Sequence, residues 1–194
     1  MFINKKRVNK LIQETMKTGT LRIRTTETSY IFGGLLWQIK IDKEMLPNET
    51  KGALITCCGE LPAIGEQILV LKEGNQQEIP SIDIYEPESV ACYVRTDLTI
   101  PGRRLYQEPM TGKIAAAPIG IADSIGNEFC DNAESGVSDP EVGRDTFTWS
   151  NSAMELQTGR MTIEDYLTVI KHMEGVRIVR EEMQETQEEH TAAE

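Results

Sequence analysis

The first part of the chain has the spacing of apolar positions that is typical of an amphipathic helix. Apolar or semipolar residues recur three and four positions apart, at Val8, Leu11, Ile12, Thr15 and Met16. Gly19 follows as a stop signal, and Asn4 precedes the pattern as a possible N-cap. The spacing therefore predicts a helix over residues 4–18.

Beyond residue 20 the pattern changes from helical to alternating. The β-branched and aromatic runs of residues 20–42 predict two or three meandering strands. The alternation puts Arg22 and Arg24 on one face of the first strand, with Leu21 and Ile23 on the other. We expect the two arginines to be exposed together and to extend the basic region of the first helix.

The middle of the chain predicts a short helix and a second set of strands. Asn48 as N-cap and Gly59 as a stop favour a helix over 49–58, although the apolar run 53–57 also fits a strand. Pro80 indicates that its strand lies at an edge or a bulge. Further β segments are predicted at 66–72, 77–85, 90–98, 103–107 and 113–117.

The last third of the chain predicts an exposed loop over 126–144, two short strands and a helix. The strands are near 147–149 and 154–156, and the helix, over 163–174, starts from the capping box of Thr162 and Asp165. The sequence thus predicts an α+β fold in residues 1–180. Its elements are a mainly antiparallel sheet, an N-terminal amphipathic helix, a short middle helix and a C-terminal helix.

Composition adds an uneven distribution of charge to this picture. The 194 residues carry a net charge of −11, with 39% hydrophobic and 26% charged residues, which is ordinary for a globular chain. The first 24 residues hold seven Lys or Arg and one Glu, whereas residues 181–194 hold six Glu and no Lys or Arg. This asymmetry predicts a basic face at one end and an acidic, disordered tail at 181–194.

The remaining sequence signals argue against several classes of protein. No apolar run is long enough to span a bilayer, and the basic N-terminus does not read as a signal peptide, so we expect a cytoplasmic protein with no membrane association. The cysteines do not form a disulfide framework, and we expect reduced, mostly buried thiols at Cys57, Cys58, Cys92 and Cys130. His172 and His190 are expected in solvent, and no metal site or cofactor is predicted.

Three residues leave an enzymatic alternative open. Asp42 at a strand end, followed by Glu49 and Lys51, resembles the constellation with which metal-dependent nucleases hold a divalent ion and stabilise phosphate charge. The predicted helix start at Glu49 fits that chemistry poorly, because the constellation belongs on a strand. No catalytic residue is assigned, and an enzyme is the less favoured class.

The clustered cations of the N-terminal region are the best binding candidate. Contacts with phosphate groups need grouped positive charges and little else, whereas the net negative charge opposes indiscriminate binding of nucleic acid. The partner could be a nucleic acid, an acidic protein or the chain's own acidic tail. The predicted basic face consists of Lys5, Lys6, Arg7, Lys10, Lys17, Arg22 and Arg24.

The order of elements in residues 1–125, a basic amphipathic helix, a β-meander, a short helix and a second meander, resembles one domain of a DNA sliding clamp. The resemblance implies that Lys5, Lys6, Lys10 and Lys17 would face DNA. The chain departs from that family by holding a single such unit, by the loop at 126–144 and by its extra terminal helix, which puts ring formation in doubt.

These observations favour a non-enzymatic accessory or interaction protein, of the kind found in phage or mobile-element DNA metabolism, that contacts its partner through the basic N-terminal helix. A metal-dependent nuclease or other hydrolase is the first alternative. A structural subunit of a homo-oligomer is the second.

Overall fold

The computed structural model describes residues 3–72, 75–78, 91–125, 139–143, 146–159 and 171. Within these residues the chain forms helices and antiparallel strands, which confirms the α+β class. No helix in this part of the chain is long and apolar enough to cross a membrane. The helices are α1 (Lys5–Thr18), α2 (Asn48–Cys58) and α3 (Ile119–Ala122). In chain order the strands are β1 (Leu21–Thr25), β2 (Ser29–Gly33), β3 (Trp37–Asp42), β4 (Gln67–Val70), β5 (Gln76–Glu78), β6 (Ala91–Cys92), β7 (Val94–Ile100), β8 (Arg103–Gln107), β9 (Ile114–Pro118), β10 (Glu141–Val142), β11 (Thr146–Asn151) and β12 (Met154–Gly159).

Helix α1 forms as its sequence predicts. The Asn4 side chain accepts a hydrogen bond from the backbone N–H of Arg7 at 3.2 Å and so caps the first turn. Gly19 ends the helix in the left-handed region at φ 69°, where a residue without a Cβ is favoured. The helix buries one stripe of side chains, which consists of Val8, Ile12 and Thr15.

The larger sheet contains nine strands in the order β5-β4-β1-β2-β3-β12-β11-β10-β6. Strands β1, β2 and β3 follow one another along the chain as antiparallel neighbours, and β12 joins them by pairing Leu156 with Ile39 of β3. A Cβ at Gly33 would lie 2.2 Å from the carbonyl oxygen of Trp37, so the tight connection from β2 to β3 requires glycine there.

Helices α1 and α2 pack side by side against one face of the larger sheet. Ile12 of α1, Ile23 of β1 and Leu54 of α2 are fully buried in the same apolar cluster. The indole N–H of Trp37 donates to the Thr15 hydroxyl at 3.1 Å, which ties the hairpin end of β3 to α1. This face of the sheet is therefore closed by the helices.

The smaller sheet, β7-β8-β9, packs over β11 on the same face of the larger sheet as the helices. Tyr106 of β8 contacts the rings of Phe147 and Trp149 on β11, at centroid distances of 5.4 and 5.9 Å. Because side chains alternate along a strand, Leu105 and Ala116 point away from this contact and form a separate small cluster with Ile114. The aromatic contact joins the two sheets through one core.

Some predicted elements differ from the structure. Within the predicted strand 90–98, residues 91–98 belong to two strands in different sheets, because the chain leaves β6 before Tyr93 and begins β7 at Val94. Pro47, not Asn48, is the N-cap of α2, and it makes no side-chain cap bond. The predicted loop 126–144 includes strand β10, and α3 was not predicted.

The predictions for Pro80, for residues 126–138 of the loop and for the acidic tail 181–194 lie outside the described residues. The same holds for the predicted C-terminal helix 163–174 except at Lys171, which is helical and exposed.

Candidate functional site

The lysines of α1 lie on the side of the helix that faces solvent. Lys6, Lys10 and Lys17 are all exposed. Lys10 and Lys17 follow Lys6 by four and eleven residues. At 3.6 residues per turn, both side chains lie within about 40° of the direction of Lys6, so the three side chains leave the helix on one side. That direction is opposite the buried stripe of Val8, Ile12 and Thr15. We call Lys6, Lys10 and Lys17 the lysine stripe.

The charge of the lysine stripe is only weakly compensated. Lys10 Nζ lies 3.8 Å from Glu14 Oε1 one turn later, and both side chains are exposed, so water screens the pair. The first turn of α1 contains no acidic residue and starts with Lys5, Lys6 and Arg7. Positive charge at a helix N-terminus costs a few tenths of a kcal/mol per residue, about 0.3 or more, so this composition opposes helix stability.

Arg7 does not belong to the lysine stripe, because its guanidinium turns towards Asp123 at 3.6 Å. Asp123 follows α3 and also accepts from Arg104 of β8, at 2.9 Å from Nη2 and 3.3 Å from Nε. Arg95 of β7 is 4.0 Å from the same carboxylate. One aspartate therefore links α1 to two strands of the smaller sheet.

The buried hydroxyl of Tyr106 lies close to this ionic cluster. Burial raises the pKa of Tyr106, and the positive charges of Arg95 and Arg104 oppose that rise only in part. Tyr106 is therefore neutral at all physiological pH values. The partners of Asp123 are far apart in sequence and follow no period, so sequence reasoning had no signal for this cluster.

Arg22 and Arg24 lie on the opposite face of the larger sheet from α1, contrary to the expectation that they extend the basic region of the helix. Leu21 and Ile23 fill the helix-covered core, so the alternation along β1 sends both arginines to the other face. They are also half-buried instead of exposed. The seven predicted basic residues thus divide between two surfaces.

Arg22 and Arg24 line a cavity of about 280 Å³ on this second face. Register places Gln67 directly opposite Arg24 on β4, and it pairs Gln38 with Gln157 across β3 and β12. The Nε atom of Arg24 is buried and has no hydrogen-bond partner among the described residues. We call this cavity the arginine pocket.

Asp42, Glu49 and Lys51, the residues of the nuclease alternative, do not share a common site in the structure. Asp42 accepts a hydrogen bond from the Ser29 hydroxyl at 3.1 Å, while Glu49 is exposed in the first turn of α2. Lys51 Nζ and Lys43 Nζ lie 5.9 and 5.7 Å from the ring centroid of Tyr30. The described part of the chain contains no group of three Asp, Glu, His or Cys side chains that could hold a metal ion.

The cysteines agree only in part with the expectation of buried thiols. Cys57 and Cys58 on α2 are free and buried, whereas Cys92 on β6 is free and exposed. Burial, together with the neighbouring Cys57, raises the pKa of the Cys58 thiol to about 11, which keeps it protonated and unreactive. Cys130, His172 and His190 lie outside the described residues.

The fold and these surfaces define an α+β protein with a basic helix on one face of a large antiparallel sheet and an arginine-lined pocket on the other. No protein-family model and no curated protein matches the chain. Among solved structures it is similar to the beta chain of DNA polymerase III from Streptococcus pneumoniae, with a TM-score of 0.36, 9% identity, and coverage of 87% of this chain and 67% of that one.

The DNA polymerase sliding clamp from Bacillus subtilis gives a TM-score of 0.35 at 10% identity, covering 87% and 66% of the two chains. A sliding clamp from Bartonella birtlesii gives 0.36 at 11%, covering 87% and 65%. The chain spans about two thirds of the length of these proteins. They are the family that the order of elements resembles, at a level of similarity that establishes neither membership nor the role of any residue.

Proposed function

We propose that this protein is a non-enzymatic accessory protein of DNA metabolism, of the small kind that phages and mobile elements use, and that it contacts nucleic acid phosphates through the lysine stripe of α1. The observation that carries the proposal is the alignment of Lys6, Lys10 and Lys17 on the solvent side of a helix whose opposite side is buried. Three aligned ammonium groups with one exposed Glu beside them form a local positive surface on a negatively charged protein.

The dimensions of the stripe suit the backbone of a duplex. Lys6 and Lys17 are eleven residues apart, which is about 16 Å along the helix axis. Because the phosphates of each strand rise 3.4 Å per step along the duplex axis, a stripe of this length extends past more than one phosphate.

The helix α2 adds to the same side of the protein. Its exposed Lys51 lies over the ring of Tyr30 on β2, and Lys43, which follows β3, lies over the same ring. Phosphate contacts by point charges carry no sequence information, so binding is expected to be independent of base sequence. The net charge of −11 weakens binding overall, and the contacts between lysines and phosphates make the binding dependent on salt.

The test is a fluorescence-anisotropy titration of labelled single- and double-stranded DNA at two salt concentrations. Neutralising the stripe in Lys6→Gln/Lys10→Gln/Lys17→Gln is expected to abolish binding and, where residual binding is measurable, to reduce the salt slope by about 2.7, the value for three phosphate contacts. The matched control, Lys40→Gln/Lys72→Gln/Lys113→Gln, removes the same charge from exposed lysines outside α1 and should retain most of the affinity. Equal losses in the two variants, or no binding by the wild type at low salt, would reject the proposal.

A further inference from the structure

The arginine pocket has the features of a binding site that the proposed contact with DNA does not use. It lies on the face of the larger sheet opposite α1, so a ligand bound there cannot touch the lysine stripe. We propose that the arginine pocket binds a small molecule through a compact oxyanion group, a phosphate or a carboxylate.

The charge of the pocket favours an anion. Arg22 and Arg24 are its charged residues among the described part of the chain, and no Asp or Glu of that part lines it. Residues two apart on a strand are about 6.6 Å apart and point the same way, so both guanidinium groups can reach one anion. A guanidinium offers a planar pair of donors that matches the two oxygens of a carboxylate or phosphate.

An unused donor in the pocket supports the same conclusion. The Nε atom of Arg24 is withdrawn from solvent without a hydrogen-bond partner in the described chain. A buried donor without an acceptor is costly, and native proteins seldom keep one without a reason. An oxyanion in the pocket would supply the missing acceptor.

The neighbouring side chains can bind the polar remainder of the same molecule. Gln67 lies directly across from Arg24, and Gln38 and Gln157 face each other on the next strands. Carboxamides donate and accept hydrogen bonds, so the three glutamines suit hydroxyl, amide or heterocyclic groups. Leu35 and Leu36, which are 70% and 58% exposed, form an apolar rim at the hairpin tip.

The size of the pocket fits a small molecule better than a polymer such as DNA. A volume of about 280 Å³ is near the lower end of ordinary ligand pockets and accommodates a metabolite-sized anion. A DNA strand would need an open track of cations, whereas the cross-strand partners of the two arginines are all uncharged: Gly33, Leu69, Ile31 and Gln67. The pocket therefore favours a small ligand over a nucleic acid backbone.

The experiment is an NMR titration of the full chain with pyrophosphate and, separately, with citrate, following the backbone amides of Gly33, Gly34 and Gln157. We expect saturable shifts at these amides, and the stronger of the two probes identifies whether phosphate or carboxylate is preferred. Arg24→Gln should weaken that binding about tenfold or more, as for the loss of one charge-assisted contact. Arg24→Lys keeps the positive charge but loses the planar pair of guanidinium donors, so it should lose most of the affinity as well.

Lys113→Gln is the control, because it removes one positive charge from an exposed turn far along the chain from β1. Arg22→Gln gives a second test at the pocket if Arg24→Gln proves unfolded by circular dichroism. The proposal is overturned if neither probe shifts these amides, or if Arg24→Gln and Lys113→Gln weaken binding equally. It is also overturned if the pocket variants lose DNA affinity as strongly as the lysine-stripe variant, because the arginines would then belong to a DNA surface.

Discussion

The two faces of the larger sheet are built from the same strands and have opposite chemistry. On the helix-covered face, Leu21 and Ile23 are completely buried under α1. On the other face, their immediate neighbours Arg22 and Arg24 line a polar pocket. The difference shows that a single alternating strand can supply both the core and a charged surface, and that charges close in sequence can be separated by the thickness of a sheet.

The comparison also assigns different roles to the two faces. The helix-covered face carries the stability of the fold, because its apolar side chains leave water on folding. The open face carries polar groups whose removal should change binding more than stability. The following variants test this division, starting with the largest expected effect.

Ile23→Ala and Arg22→Ala compare adjacent residues of β1 on the two faces. Ile23 is 0% exposed, and truncating it should lower the free energy of unfolding by about 3 kcal/mol through lost burial and a residual cavity. Arg22→Ala should cost less than about 1 kcal/mol, as for a partly exposed side chain. Urea denaturation monitored by tryptophan fluorescence measures both, and similar costs for the two variants would contradict the division of roles.

Asp123→Ala tests the link between α1 on the helix-covered face and the smaller sheet. The substitution leaves Arg7, Arg95 and Arg104 without their shared carboxylate and should cost about 2 kcal/mol, less than for a fully buried pair because Asp123 is partly exposed. Asp97→Ala, an exposed aspartate on β7, is the matched control and should have little effect on the melting temperature. Equal melting temperatures for the two variants would show that the cluster does not stabilise the fold.

Glu155→Gln gives the smallest effect and tests the open face through pH. Burial raises the pKa of Glu155, which lies opposite Lys40 on β3, so its charged form is less favourable in the folded state than in the unfolded chain. Because the pKa of Glu155 is higher in the folded protein than in the unfolded chain, the free energy of unfolding falls as pH rises through the folded-state pKa. Below the ordinary glutamate pKa of about 4.3 the carboxyl is protonated in both states, and the cost of burying its charge disappears. Glu155→Gln should therefore raise the melting temperature slightly at pH 7 and leave it unchanged at pH 4.

The control for this pH effect is Glu60→Gln, at an exposed position, which should leave the melting temperature unchanged at both pH values. A gain for Glu155→Gln that is the same at pH 4 and pH 7 would show that packing or hydrogen bonding, and not ionisation, is responsible.

Local signals in the sequence predicted the elements well. The cap of α1 at Asn4, its end at Gly19 and the limits of β8 follow from short-range rules, and the structure confirms them. The split of residues 91–98 between two sheets was missed, because sheet membership depends on distant partners such as Glu141, which pairs with Cys92. Nothing in the sequence near Cys92 indicates that pairing.

The candidate surfaces were predicted less completely than the elements. The lysines of α1 were identified because helical periodicity is a local property. The separation of Arg22 and Arg24 from them was missed, because the sequence shows which face of β1 is apolar but not which face α1 covers. Both the arginine pocket and the cluster around Asp123 depend on contacts between distant segments, which alternation and capping do not report.

The pairing of β3 with β12 imposes an order on folding during synthesis. The Thr158 hydroxyl donates to the carbonyl of Leu36, 122 residues earlier in the sequence. Strand β3 therefore cannot pair with β12 until β12 has been synthesised. At 5–20 residues per second, the ribosome needs on the order of ten seconds to deliver β12 after β3. During that interval the nascent chain presents the unpaired backbone of β3 at a temporary sheet edge. Pairing with another strand is therefore a hazard at a position that is central in the finished protein.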